Sequence, residues 1–337
     1  MRTILRLFNL LFLLVVLAVV GTAVWAYRAF DATGPAAAET TVVIERGIGV
    51  RDIAATLHDA GVIGEPLVFL AGVRLYAAGR PLKAGEYLFP ARLSMREVMQ
   101  QMIDGTTVMH RLTVAEGLTS AEIVALVAGC PELAGEAPKA PPADGTLLPE
   151  TYFFSRGDTR AELIARMQKA MTEKLAELWQ RRDASVALKD PADAVTLASI
   201  VEKETGVAAE RPHVAAVFFN RLAQNMPLQS DPTVIYALTS GKGPLNRALT
   251  HADLQTASPY NTYVNAGLPP GPIANPGRAS IEAVLHPLTS KDLYFVADGS
   301  GGHVFAETLE EHNRNVARWR QVQKQQADDA AKGQSAD

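Results

Sequence analysis

Leu197-Ala-Ser-Ile-Val-Glu-Lys-Glu-Thr205 sets three charged residues at the end of an apolar run. Three turn-rich pieces follow it: Gln229-Ser-Asp-Pro-Thr-Val-Ile-Tyr236, Tyr260-Asn-Thr-Tyr263 and Gly267-Leu-Pro-Pro-Gly-Pro-Ile-Ala-Asn-Pro-Gly277. Ordinary core sequence does not place so many Asn, Tyr, Pro and Gly residues between short apolar pieces. Loops of that composition on a packed scaffold are where binding and catalysis concentrate. The stretch reads as a helix bearing carboxylates, followed by loops that wall a groove. At about 100° per residue, Ala194, Leu197, Ala198 and Val201 form the helix's apolar face. Lys203 points farthest from that face, and Glu202 and Glu204 lie on its opposite flanks. Periodicity does not choose between the two glutamates, and three charges on a solvated flank would satisfy it equally.

Working outward, Thr159 and Glu162 form a capping-box pattern. It opens a helix that runs to about Arg182, with Leu163, Ile164, Met167, Met171, Leu175 and Leu178 as its buried stripe. Thr119 and Glu122 repeat the pattern before Ile123 and Leu126. Thr106 to Val114 reads as a strand, Pro212 to Leu222 as a helix, Leu293 to Ala297 as a late strand and Leu309 to Val322 as a last helix. Further upstream, Thr41–Ile44 and Lys83–Phe89 read as strands. Between them lie a helix carrying Val50, Ile53, Ala54 and Leu57, and another over Pro66–Ala77. Ser94 and Glu97 cap a third helix, which Gly105 ends.

The N-terminus supplies a different signal. Leu7 to Tyr27 is 21 residues without a charge, long enough to cross a hydrocarbon core of ~30 Å. Arg2 and Arg6 precede it, which favours a cytoplasmic N-terminus. The run exceeds the apolar core of a typical signal peptide, although Gly21-Thr-Ala23 is a weak cleavage pattern. The sequence therefore divides into a cytoplasmic N-terminus and anchor (1–30), a linker (31–40), a small α/β module (41–105), a main domain (106–322) and a disordered polar tail (323–337). The fold class is α+β.

Composition narrows the chemistry. The 337 residues carry a net charge of −4, so no broad basic face advertises nucleic acid. The single cysteine, Cys130, excludes an internal disulfide and a cysteine-only metal site. The seven histidines show no His-Glu-x-x-His spacing. Ser199 and Lys203 are spaced Ser-x-x-x-Lys, not the Ser-x-x-Lys of penicillin-recognising enzymes. No Gly-x-Ser-x-Gly or phosphate-loop motif occurs.

The motifs quoted above, with Leu293-Tyr-Phe-Val-Ala-Asp-Gly299 and Gly301-Gly-His-Val-Phe305, resemble those of the YceG-like family, the endolytic murein transglycosylases. The resemblance runs from the anchor to about Trp319 and says little about the Pro- and Ala-rich piece Pro131–Asp144. It implies that residues 41–105 form a LysM-like module, followed by a larger mixed α+β catalytic domain. It implies a single-pass protein of the inner (plasma) membrane whose catalytic domain faces the periplasm. Its substrate would be peptidoglycan glycan strands, cut internally between N-acetylmuramic acid and N-acetylglucosamine while still uncrosslinked. The product end would be 1,6-anhydro-N-acetylmuramic acid. Peptidoglycan synthases (penicillin-binding proteins) would be its partners, with the cut setting strand length. The resemblance implies no cofactor and no metal.

By the same resemblance the catalytic acid is the first Glu of Val-Glu-Lys-Glu, here Glu202. An ordinary glycosidase needs a second carboxylate. In a lytic transglycosylase the muramyl C6 hydroxyl attacks its own anomeric carbon, so one Glu can serve as acid and then base. Glu150 and Asp231 are the reserve carboxylates, although Asp231-Pro232 more commonly starts a turn or caps a helix. Asn220, Gln229, Tyr236, Tyr260, Asn261 and Tyr263 offer amides, hydroxyls and aromatic faces suited to sugars and N-acetyl groups. The Tyr260–Asn261 pair is expected to line the groove. His303, in a Gly-rich segment, is a further candidate contact.

Overall fold

The computed structural model describes residues 2–334, which fall into two compact units. The first comprises Met1–Arg111, Glu132–Ala134 and Phe153–Asp158. The second comprises Leu112–Pro131, Gly135–Tyr152 and Thr159–Asp337.

The first unit begins with helix α1 (Arg2–Asp31). Within its 28-residue stretch Ile4–Asp31 an 18-residue window reaches a mean hydropathy of 2.7 with none of that window buried, so the helix is long and apolar enough to cross a membrane. Strand β1 (Thr40–Ile44), helices α2 (Val50–Asp59) and α3 (Pro66–Tyr76), strand β2 (Gly85–Phe89) and helix α4 (Met95–Asp104) follow. The strands pair antiparallel, from Thr40 opposite Phe89 to Ile44 opposite Gly85. Alternate side chains on one face of this pair, Val42, Ile44, Tyr87 and Phe89, are buried. They pack with Leu57, Phe69, Val98 and Met102 from the helices. At α4 the capping box forms as expected: Ser94 N–H donates to Glu97 Oε2 at 2.8 Å, and Gly105 ends the helix at φ 76°.

The linker expected at 31–40 is fastened to this unit. Phe30 is 2% exposed, and its ring lies 2.1 Å from where a Cβ would stand on Gly72 of α3. Asp31 pairs with Arg96, Gly34 N–H donates to Arg92 O at 3.2 Å, and Arg92 N–H donates to Ala36 O at 2.9 Å. Small residues carry no side-chain signal of such backbone pairing, so composition alone suggests slack where there is none. Phe30→Ala should cost about 3 kcal/mol, the usual cost of emptying a buried aromatic site. Hydrogen exchange of the β1 and β2 amides should accelerate on the order of 100-fold. Unchanged protection would show that Phe30 is not part of this core.

Strands β3 (Met109–Thr113) and β4 (Thr151–Ser155) form a second two-stranded sheet. The second unit is mainly helical: α5 (Ser120–Ala128), α6 (Arg160–Gln180), α7 (Pro191–Glu204), α8 (Arg211–Ala223), α9 (Asp231–Thr239), α10 (Arg278–Leu285) and α11 (Leu309–Gln334). A hairpin of β5 (Tyr294–Ala297) and β6 (His303–Ala306) completes it. Thr119 and Thr159 cap α5 and α6 as their spacing predicts.

Helix α7 is the hub. Asp190 caps it, Pro191 takes its first turn, and every residue from Ala194 to Val201 is buried. Leu197, Ala198 and Val201 share a core with Val214 and Phe218 of α8 and with Ile281, Val284 and Leu285 of α10. A helix buried on all sides has no solvent flank over those turns. Ser199 is therefore a core residue: its hydroxyl donates to Thr196 O at 2.7 Å and accepts from Ile273 N–H at 3.0 Å.

The sequence reading omits α10 and β6, and it leaves α9 as a turn or cap at Asp231-Pro232. Helix α11 continues to Gln334, through most of the tail that composition assigns to disorder at 323–337. Its Ala, Gln and Lys residues are good helix formers. Residues 335–337 lie outside the described residues.

Candidate active site

The carboxyl end of α7 opens on a cavity of about 290 Å³. Glu204 enters it from α7, Arg221 from α8, Asp231 from the first turn of α9 and Tyr263 from the loop that follows Asn261. Gln229, Phe295 of β5 and His312 of α11 line it too. Glu204 Oε1 accepts from the Ser230 hydroxyl at 2.5 Å. Burial pushes the Glu204 carboxyl up to about 7, and the nearby Asp231 charge adds to this. The Ser230 bond and the charges of His303 and Arg221 pull the other way without cancelling it. The result is a carboxylic acid poised near neutrality.

The walls are held firmly. Arg221, 8% exposed, donates from Nε to Leu293 O at 2.6 Å and from Nη1 to Leu228 O at 2.8 Å. The Tyr263 hydroxyl donates to Asp231 Oδ1 at 2.6 Å. Burial raises the Tyr263 phenol, and the Asp231 bond raises it further. Burial and the Arg221 charge lower the His312 imidazole, which favours its neutral form. Gln229 adopts φ 51°, a left-handed conformation that a bulky residue rarely takes.

Glu202 faces elsewhere. Its side chain is 5% exposed; Oε1 accepts from Arg211 Nη2 at 3.0 Å and Oε2 from Gly277 N–H at 2.9 Å. Arg211 also reaches Glu116 Oε2 at 3.2 Å. The Glu116 carboxyl is raised by burial and by the neighbouring Glu202 charge, against the pull of Arg211. Glu202 thus braces α7 against α8 and the start of α10. Between the glutamates, Lys203 Nζ donates to Gly117 O at 3.2 Å.

Of the other residues singled out in the sequence, Gln229, Asp231 and Tyr263 meet Glu204 in this cavity. His303 stands near enough for its charge to act on Glu204, but its Nδ1 is 2.8 Å from Glu210 Oε2. Asn220 donates to Ser290 O and Asp292 O, both at 2.9 Å, and ties α8 to the chain before β5. The Tyr236 hydroxyl donates to Asp144 at 2.7 Å, and its ring packs 4.7 Å from that of Tyr260. Glu150 is exposed and meets none of these groups; its backbone oxygen accepts from Val114 N–H.

Asn261 is a correction. It is fully buried, donating to Leu254 O at 3.0 Å and Thr256 O at 2.9 Å while accepting from Tyr263 N–H at 2.9 Å. All its capacity goes into folding the loop that carries Tyr263, so it cannot line a groove. Asn261→Ala should cost about 2 kcal/mol, because two carbonyls lose their donor. The urea midpoint should fall with an unchanged slope. A stable variant with impaired substrate binding would restore Asn261 to the groove.

Arg221, Ser230 and His312 were not singled out. Ser230 lies inside the quoted Gln229–Tyr236 motif, and Arg221 beside Asn220 reads as structural. The position of His312 in the last helix carries no local signal. A larger cavity of about 640 Å³ lies beside α6 and α7, with Asp144 its one titratable lining residue. That carboxylate is engaged by Ser120 N–H and Tyr236, so the cavity offers no acid–base group. Among the described residues, no group of three or more His, Cys, Asp and Glu is placed to hold a metal.

The sequence pattern of the YceG-like family matches residues 42–318, a span that contains the whole cavity. The chain belongs to the YceG-like family. It is 34% identical over 310 residues to an endolytic murein transglycosylase of Bacillus subtilis (strain 168), covering 82% of this chain and 84% of the relative. It is 31% identical to an endolytic murein transglycosylase of Streptococcus pneumoniae, over 82% of this chain and 58% of that longer protein. A YceG-like protein of Listeria monocytogenes, known from a crystal structure, superposes with a TM-score of 0.51 at 34% identity. That match covers 82% of this chain and 98% of the Listeria chain. The YceG-like assignment agrees with what the motifs led us to expect.

Proposed function

We propose that this chain is a lytic transglycosylase that cuts murein glycan strands internally, with Glu204 as its single acid and base. The observation that carries the reading is one carboxyl, lifted by burial to about 7, inside a cavity rimmed by polar and aromatic groups. This moves the catalytic role from Glu202, whose oxygens are engaged by Arg211 and Gly277, to Glu204.

In the proposed cycle Glu204 protonates the bridging oxygen that leaves with N-acetylglucosamine. The C1–O4 bond breaks as the muramyl O6 bonds to C1, and the O6 proton passes to the Glu204 carboxylate. No water is consumed, and the acid is regenerated. A pKa near the working pH suits a group that must give and then take a proton. Arg221 and Gln229 offer donors to the sugar hydroxyls and N-acetyl groups, and the Tyr263 oxygen, its proton directed to Asp231, offers an acceptor.

The test is mass spectrometry of purified glycan strands incubated with the full-length protein in detergent. Internal cuts ending in 1,6-anhydromuramyl groups support the reading. A second reading, hydrolysis with Asp231 as the partner carboxylate, draws on its place in the same cavity. It requires reducing ends instead. Strand binding without any cleaved product would make the protein a glycan-binding scaffold.

The family resemblance extends the proposal. Residues 41–105 would be a LysM-like module, and the substrate would be nascent, uncrosslinked strands beside the penicillin-binding proteins, whose product length the enzyme sets. Helix α1 would anchor the chain with its N-terminus in the cytoplasm and the remainder in the periplasm. A reporter at the C-terminus should then be active only in its exported form. Strong cytoplasmic activity would reverse the topology, and a mature chain beginning near Ala23–Ala26 would make α1 a cleaved signal.

A further inference from the structure

The first unit carries an apolar surface that its own fold leaves uncovered. Helix α3 buries Val68, Phe69 and Gly72 against the core. On its opposite side Leu67 is 79% and Leu75 72% exposed, with Ala71 exposed between them and Arg74 as the one charged residue beside them. These residues recur at every fourth position, so they form one stripe along the helix. Large apolar side chains left exposed in a row mark an interaction or lipid surface, and the long Arg74 stem can carry its charge to the headgroups beside them.

The anchor indicates what covers the stripe. Trp25 and Tyr27 are 53% and 56% exposed on α1, where the apolar run gives way to Arg28 and Asp31. Amphipathic rings at such a position mark the boundary between headgroups and acyl chains. Ala26, between them, packs against the core of the first unit, as does Ala29 one turn on. Phe30 then enters that core against Gly72, stacking on Tyr76 with ring centroids 5.6 Å apart. Helix α3 is thus pinned to α1 within a turn of its aromatic boundary.

We propose that the Leu67–Ala71–Leu75 stripe of α3 lies in the lipid interface, so that the unit is seated on the bilayer rather than suspended above it. The inference rests on the reading of α1 as a membrane anchor. An apolar helix face seated in this way reaches roughly 5–10 Å into the headgroup and acyl boundary. The attachment is therefore two-point: one helix through the membrane and one lying along it.

The test uses the full-length protein with Cys130 replaced by Ala, reconstituted at one copy per phosphatidylethanolamine/phosphatidylglycerol nanodisc. Leu13→Cys, Leu67→Cys or Leu75→Cys, made one at a time, carries an environment-sensitive fluorophore. Labels at 67 and 75 should emit to the blue of the free conjugate and be several-fold less quenched by aqueous iodide. They should be quenched by lipids spin-labelled near the headgroup, while the label at 13 responds to quenchers deep in the acyl chains. Labels at 67 and 75 as accessible as the free conjugate, with position 13 shielded, would overturn the seating alone. Exposure at position 13 would defeat the anchor and the inference with it. Shielding at 75 that appears only with two copies per disc would assign the stripe to self-association and overturn the lipid reading.

Discussion

Glu204→Gln should lower the rate of anhydro-end release by ~10²–10⁴-fold, the usual loss for one general acid or base. A group serving in both roles belongs at the upper end of that range. Gln keeps the size of Glu and can still accept the Ser230 hydroxyl, but it has no proton to give. The pH dependence carries a second signature. The acid must be protonated to act, and its pKa stands near 7, so activity should decline as pH rises through that value. Stability follows the same sign. A carboxyl raised in the folded state stabilises fully below its ordinary value of 4.5, and that contribution is lost as pH rises through about 7. The Gln variant should be flatter in stability across this window. Near-normal turnover by Glu204→Gln, together with a folded but inactive Glu202→Gln, would return the role to Glu202.

Glu202→Ala should act on the fold instead. Removing one member of a buried ion pair typically costs about 3–5 kcal/mol. Here Glu116 remains beside Arg211, which places the expectation near the lower end. The lost contacts are two: Arg211, whose side chain is 11% exposed, loses its buried partner, and Gly277 N–H loses its acceptor. The urea midpoint should fall with an unchanged slope, and the folded fraction should cut strands at close to the normal rate. A fully stable variant that has lost its activity would refute the bracing role.

The contrast between these two residues shows where sequence reading stops. The flanks of α7 were legible in outline, because Glu202 and Glu204 do lie on different sides. What approaches each flank was not. Arg211 comes from 9 residues away and Gly277 from 75. Ser230, 26 residues from Glu204, lies within a quoted motif, but nothing local assigns it to one glutamate. Loop amides pose the same difficulty: Asn261 tying a loop and an asparagine binding a sugar have the same sequence signature. Gln229, Asp231 and Tyr263 belong to motifs far apart in sequence that the fold brings to one cavity. The three capping boxes and the stripe of α6 were legible for a different reason, since both are local and periodic. Helix α10 has only eight residues and β6 four, too few for a period to stand out.

The burial of Phe30 also decides where the chain tolerates a cut. Removing everything before residue 31, the obvious route to a water-soluble enzyme, would take the ring out from between Gly72 and Tyr76 and leave a hole lined by apolar side chains. A protease acting at Gly21-Thr-Ala23 would instead leave that plug in place, with Ala26 and Ala29 still seated. Loss of the apolar run and loss of the first unit's integrity are therefore separable events, and the few residues between Ala23 and Phe30 are what separates them.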